Sequence, residues 1–153
     1  MTIKSSYGDT YRSSVYNSWK KDGTCRQGDY GYGDCSGLWF FGSAFSELKG
    51  KTISKVQITI TRNSGGSPSA VGLVVRTHNY SARPGGAPKL SSSSYGTLSL
   101  ATGTTGTLTI TNSDVLNGIK NGTIKGFGIR TTYDEAHYAV CSGNVTVKIT
   151  YTE

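Results

Sequence analysis

Gly50-Lys-Thr-Ile-Ser-Lys-Val-Gln-Ile-Thr-Ile-Thr-Arg62 is the stretch whose reading decides the fold. Val56, Ile58 and Ile60 alternate with Gln57, Thr59 and Thr61, so one face is apolar and the other polar. A period of two is what a half-buried β-strand requires, because successive side chains point to opposite sides of a sheet. A helix would scatter the same residues around its circumference. Ile53 is out of phase, which predicts a bend or bulge near Ser54 and Lys55.

The rest of the chain supplies partners for this strand. Leu38-Trp39-Phe40-Phe41 is a continuous apolar run of the kind buried on both faces, which places Trp39 in the core. Val71 to His78 alternates with Val71, Leu73 and Val75 on one face. Shorter strands are expected at Tyr95 to Leu100, Gly106 to Thr111, Ile124 to Thr132 and from His137 to Cys141, with an edge strand at Thr10 to Tyr16. Glycines 126 and 128 within a strand predict close approach of another backbone. Asn144 to Thr152 closes the chain with Val145, Val147, Ile149 and Tyr151 inward.

Ser43 to Lys49 reads as a single helical turn with Ser43 as N-cap, and Ser113 to Gly122 as one or two turns capped by Ser113. Asn63 to Pro68 reads as a plain turn, and Tyr133 to His137 as another. Eight or nine short strands with few helix formers predict an all-β fold. It is a single β-sandwich domain over residues 1–153, of jelly-roll type, formed by two packed antiparallel sheets.

Composition agrees and limits the function. Glycine is abundant at 21 residues, proline scarce at 3, and charged residues make up only 16%. Ten tyrosines against four phenylalanines favour aromatic rings with one end near water. The net charge of +7 suits an anionic polymer. The sixteen Lys and Arg are scattered rather than clustered on one stripe, so no nucleic acid partner is expected. No apolar run approaches the ~18–20 residues of a membrane helix, so membrane insertion is not expected.

Two irregular loops hold the unusual chemistry. Asn17 to Gly37 exceeds the ~12–15 residues usual for a loop without structure of its own, and such loops tend to be functional or disordered. It carries Trp19, Arg26, Gln27, Asp29, Tyr30 and Tyr32 among glycines. His78 to Lys89 holds His78, Tyr80 and Arg83 with two of the three prolines. Sugar rings stack an apolar face on Trp or Tyr while Asp, Arg and Gln bond their hydroxyls, so these two sets are the candidate glycan-binding residues. The alternative role for Trp19 and the tyrosines is to plug the sandwich end and brace the loop. Cys25 and Cys35 flank the first loop and are a candidate disulfide, with Cys141 left over; three free thiols are the alternative.

Catalytic signals are weak. Asp29 with Asp34, or Asp134 with Glu135, are the carboxylate pairs nearest to aromatics, but Asp29 and Asp34 each follow a glycine, where Asp is ordinary turn chemistry. His78 and His137 lack a Gly-x-Ser-x-Gly elbow beside them. Metal-ligand spacing is absent, and no cofactor is implied. A non-enzymatic role is the expectation.

The stretches Gly37-Leu-Trp-Phe-Phe-Gly, Leu48-Lys-Gly-Lys-Thr-Ile, the long strand after it, His78-Asn-Tyr-Ser-Ala-Arg-Pro-Gly-Gly-Ala-Pro and the closing strand span much of residues 37–152. Together they resemble β-sandwich modules of tailed-bacteriophage structural and adhesion proteins and of bacterial cell-surface proteins. The run from Gly106 to Tyr151 is similar to the ending of carbohydrate-binding jelly rolls. The resemblance implies a virion component, on the tail or decorating the particle, at the virion surface or otherwise extracellular. Its partners would be the surface polysaccharide of a Gram-positive host, including an anionic wall polymer, other virion proteins and further copies of itself. The other readings are a wall-binding module of a lytic or secreted protein, and a purely structural virion protein.

Overall fold

The period-two strand is the spine of one sheet. The structure is a computed structural model that describes residues 1–31, 33–131 and 135–153, with only the backbone of Glu135. In chain order the strands are β1 (Thr2–Lys4), β2 (Tyr7–Arg12), β3 (Ser18–Trp19), β4 (Thr24–Gln27), β5 (Cys35–Phe40), β6 (Thr52–Gly66), β7 (Val71–His78), β8 (Thr97–Leu100), β9 (Thr105–Ile110), β10 (Gly126–Ile129), β11 (Ala139–Ser142) and β12 (Thr146–Thr152). A 3-10 turn covers Ala44–Leu48, a second Glu135–His137, and the helix α1 spans Ser113–Asn121.

These strands form two six-stranded antiparallel sheets packed as an all-β sandwich. In the first, β1, β12, β6, β11 and β4 follow one another and β9 pairs with β6; in the second the order is β3-β2-β5-β10-β7-β8. β6 is long enough to pair with β12 over its first half and β11 over its second, with β9 on its other edge. The bulge falls where the phase break predicts: Lys55 faces Thr150 and Ile53 faces Tyr151, leaving Ser54 as the extra residue.

Val56, Ile58 and Ile60 are fully buried and meet Leu73, Val75, Trp39 and Phe127 of the other sheet in one core. β5 is buried along its whole length, as its apolar run predicts. Both β10 glycines are required by crowding. A Cβ on Gly126 would stand 2.5 Å from the His78 ring, and one on Gly128 2.5 Å from the Gly37 carbonyl oxygen.

Several expectations need correction. There are twelve strands among the described residues, not eight or nine. Thr10 to Tyr16 is not an edge strand: β2 starts at Tyr7 and lies between β3 and β5. Asn63 to Gly66 continues β6 rather than turning, because Ala139 of β11 pairs with Gly66. Ser43 makes no side-chain cap; its carbonyl instead accepts from Ser46 Oγ at 2.6 Å. Helix α1 is capped one residue earlier, by Asn112 Oδ1 on the Asp114 N–H, and ends on Gly122 at φ 78°. Thr132 to Asp134 and Tyr32 lie outside the described residues, so the expected turn and the Asp134–Glu135 pair cannot be placed on this fold.

Candidate functional site

The long loop does not stand as one unit. β3 and β4 are cut from it by pairing with β2 and β11, and what remains folds around a cleft of about 310 Å³ bordered by the end of β2, β4 and the β4–β5 connection. Arg12 at the end of β2, Tyr16 in the turn before β3, Arg26 on β4, Tyr30 in the β4–β5 connection and Tyr138 before β11 line it. Gly33 holds two of its walls together. It has φ 95°, and a Cβ there would lie 1.9 Å from the Ser13 carbonyl oxygen, so only glycine lets this loop press against the Ser13–Val15 turn.

One aromatic–cation pair and one pair of stacked tyrosines line the cleft. The Arg12 guanidinium lies over the Tyr16 ring at 4.1 Å, a cation–π distance. The Tyr30 and Tyr138 rings stack at 5.3 Å, with Tyr30 53% exposed, leaving a ring face open to water. Arg26 Nη1 is fixed by Asp22 Oδ2 at 3.0 Å, and Lys20 Nζ lies 3.8 Å from the same oxygen. The Nε atoms of Arg12 and Arg26 are buried and make no hydrogen bond among the described residues.

The titrations follow from this arrangement. Burial pushes the Asp22 carboxyl up, but the Thr24 hydroxyl and the Arg26 charge outweigh it and hold it below the ordinary value. Burial lifts the Tyr138 phenol, with Arg26 pulling the other way. Burial also raises the Cys35 thiol at the cleft floor to about 11, against the pull of Arg26 and Arg12. The Tyr138 phenol and the Cys35 thiol are therefore neutral near pH 7, and Arg12, Lys20 and Arg26 give the cleft lining its charge.

Of the candidate residues, the structure brings Arg26 and Tyr30 into the cleft. Asp29 sits beside it with Oδ1 accepting from the Gly31 N–H at 2.8 Å, the turn role its position after glycine suggests. Asp34 lies 3.8 Å from Arg130. Gln27 is fully buried and clamps the two sheets: it donates to the Gly72 and His137 carbonyls and accepts from the Val74 N–H. Tyr32 lies outside the described residues. Arg12, Tyr16, Lys20 and Tyr138 were not singled out from sequence. Arg12 and Tyr16, four residues apart across a Ser-Ser turn, carried the nearest thing to a signal.

Trp19 takes the bracing role. Its ring packs edge-on against Tyr11 and Phe40, and Nε1 donates to the Pro84 carbonyl at 3.0 Å, tying the two irregular loops together. Trp19→Phe keeps the ring and loses this bond. It is expected to cost about 1 kcal/mol, a fall of roughly 2–4 °C in thermal midpoint, and to leave ligand binding unchanged. Thermal denaturation beside a binding assay checks this; unchanged stability with lost binding would return Trp19 to the site.

The second set is structural as well. His78 is buried, its Nε2 2.7 Å from the Trp39 carbonyl oxygen and its Nδ1 accepting from the Tyr80 N–H. Tyr80 Oη accepts from the Lys89 N–H. Arg83 Nη1 meets the buried Asp9 carboxylate at 2.7 Å. Asp9 also accepts from the Thr10 and Lys21 N–H groups, so one carboxylate pins both loops to β2. The candidate disulfide is corrected too: Cys25, Cys35 and Cys141 are all buried free thiols. Cys25 lies on β4 of the first sheet and Cys35 on β5 of the second, and the Cys35 sulfur lies 3.7 Å from the Gly33 carbonyl oxygen.

Among the described residues there is no cluster of metal-ligating side chains and no helix long and apolar enough to cross a membrane. Compared with known protein families and with curated proteins, the chain matches none.

Proposed function

We propose that the protein is a non-catalytic component of a bacteriophage particle that binds cell-surface polysaccharide through the Arg12–Tyr16–Arg26–Tyr30 cleft. The observation that carries the binding role is the pairing of an open tyrosine face with guanidinium edges in one concave site. A sugar ring stacks on the Tyr30 face, and Arg12 and Arg26 donate to its hydroxyls or to anionic substituents. The +7 net charge favours an anionic wall polymer. Contact with a single cleft of this size is weak, and presentation in many copies on a particle strengthens it. The particle setting rests on the resemblance of residues 37–152 to phage β-sandwich modules.

The test is co-sedimentation with intact Gram-positive cell walls at low and high salt. Tyr30→Ala and Arg12→Ala are each expected to weaken binding roughly 10-fold, the scale of one lost stacking or cation contact of ~1–2 kcal/mol. Wild-type binding should also fall as salt rises. Binding indifferent to both substitutions would move the site elsewhere. Absence of binding to any wall would leave the purely structural virion role.

A further inference from the structure

The two cysteines that face each other are not the two that flank the loop. In the antiparallel pairing of β4 with β11, Cys141 is directly opposite Cys25, between the pairs Val140–Arg26 and Ser142–Thr24. Cys25 and Cys141 are both fully buried, whereas Arg26, Val140, Thr24 and Ser142 are half-buried, so the two thiols share the inner face of the sheet. We propose that Cys25 and Cys141 are a cross-strand disulfide site, closed when the protein meets an oxidising environment.

The geometry of the ladder permits the bond. Directly opposed residues of an antiparallel pair have Cα atoms about 4.5–5.5 Å apart, inside the ~4.4–6.8 Å that disulfides span. Their Cβ atoms stand about 4.5–5.5 Å apart, against ~3.5–4.5 Å in a disulfide, so up to about 1 Å of closure and a rotation at χ1 suffice. Cys25 Sγ now rests 3.3 Å from the Leu38 carbonyl oxygen, a weak thiol contact. Cys35 is turned away from the pair: its sulfur lies 3.7 Å from the Gly33 carbonyl oxygen, whereas the Cys25 sulfur rests on the Asp9 and Leu38 carbonyls.

The chemistry is thiol–disulfide exchange with a low-molecular-weight disulfide as oxidant. The thiolate of one cysteine attacks a sulfur of that disulfide and expels one small thiolate. The second cysteine attacks the resulting mixed disulfide and expels the other. Two protein S–H groups become one S–S bond, and the two protons and two electrons leave on two small thiols. Both thiols are buried, so exchange requires β4 to be undocked. β4 is an edge strand with β11 as its one ladder neighbour, so it can undock without breaking a second ladder once the Gln27 and Arg26 bonds to the facing sheet are released. The bond fixes to the sheet the strand that carries Arg26.

The experiment compares protein kept in reductant with protein refolded from denaturant in oxidised and reduced glutathione. Both samples are alkylated under denaturing conditions and mapped without reduction. The expected result is an intact mass about 2 Da lower after oxidation when read before alkylation, then a single alkylated cysteine at Cys35 and a peptide joining Cys25 to Cys141. The midpoint of the oxidised protein should be higher by roughly 5–15 °C, the difference vanishing on reduction. Cys35→Ser should form the same Cys25–Cys141 link on oxidation with no cysteine left to alkylate, keeping the result independent of the buried pair's own substitutions. Three alkylated cysteines after oxidative refolding, or any link through Cys35, would overturn the proposal.

Discussion

Arg62→Ala is expected to destabilise the protein by about 3–5 kcal/mol, lowering the thermal midpoint by roughly 10–15 °C. Arg62 continues the inward phase of Val56, Ile58 and Ile60 and is fully buried. Its guanidinium is held by backbone carbonyls: Nη1 donates to Ser69 at 2.9 Å and Leu100 at 2.8 Å, and Nη2 to Gly65 and Ser67. No carboxylate is in ion-pair reach of it among the described residues. One side chain therefore satisfies four carbonyls from the end of β6, the β6–β7 connection and the end of β8. Truncation leaves a cavity and removes the donor from all four acceptors, of which the Leu100 carbonyl is fully buried and the other three partly so.

Arg62→Met separates the two effects. A buried ion pair can often be replaced by apolar residues at little cost because both charges are removed together. Here the partners are backbone and stay, so Met restores volume but not hydrogen bonds and should still cost about 2–3 kcal/mol. Denaturant unfolding of both variants measures the difference. A Met variant as stable as wild type would mean that the carbonyls find other donors and that Arg62 matters only as filler.

Arg62 also marks where sequence reasoning stops. The alternation of β6, its bulge at Ser54 and the burial of Leu38 to Phe40 are local patterns, so they were legible. The same alternation puts residue 62 on the inner face, but an arginine there has no reading until the carbonyls that surround it are known. Asn63 to Pro68 has turn composition, yet Gly66 pairs with Ala139, a partner far along the chain. The cleft is hidden for the same reason. Arg26 and Tyr30 are near neighbours in sequence, whereas Arg12 and Tyr138 reach them only because β2 lies beside β5 and β11 beside β4. Trp19, His78 and Arg83 have the composition of a binding site, and their use as braces depends on Pro84, Trp39 and Asp9.

His78 gives the fold a pH dependence that can be measured apart from its carboxylates. Burial lowers its pKa from 6.5 to about 4, the hydrogen bonds to Trp39 and Phe127 opposing only in part. The geometry requires a neutral ring: Nε2 reaches the Trp39 carbonyl oxygen, and Nδ1 accepts from the Tyr80 N–H and so has no room for a proton. Its ring neighbours are Phe40 and Tyr80, at 5.3 and 5.7 Å. With the folded value below the unfolded one, the unfolded chain binds the extra proton between pH 6.5 and 4. The stability His78 contributes is complete above pH 6.5 and is lost as pH falls toward 4, by about 3 kcal/mol in all. His78→Gln keeps a polar side chain that does not titrate, so its stability should be flatter across that window while both proteins share the carboxylate losses below it. Urea unfolding at intervals from pH 7.5 to 4 reads the difference directly. Parallel curves would mean that His78 is protonated as readily in the fold as out of it, and that the bond to Nδ1 is not what holds Tyr80 and the loop behind it.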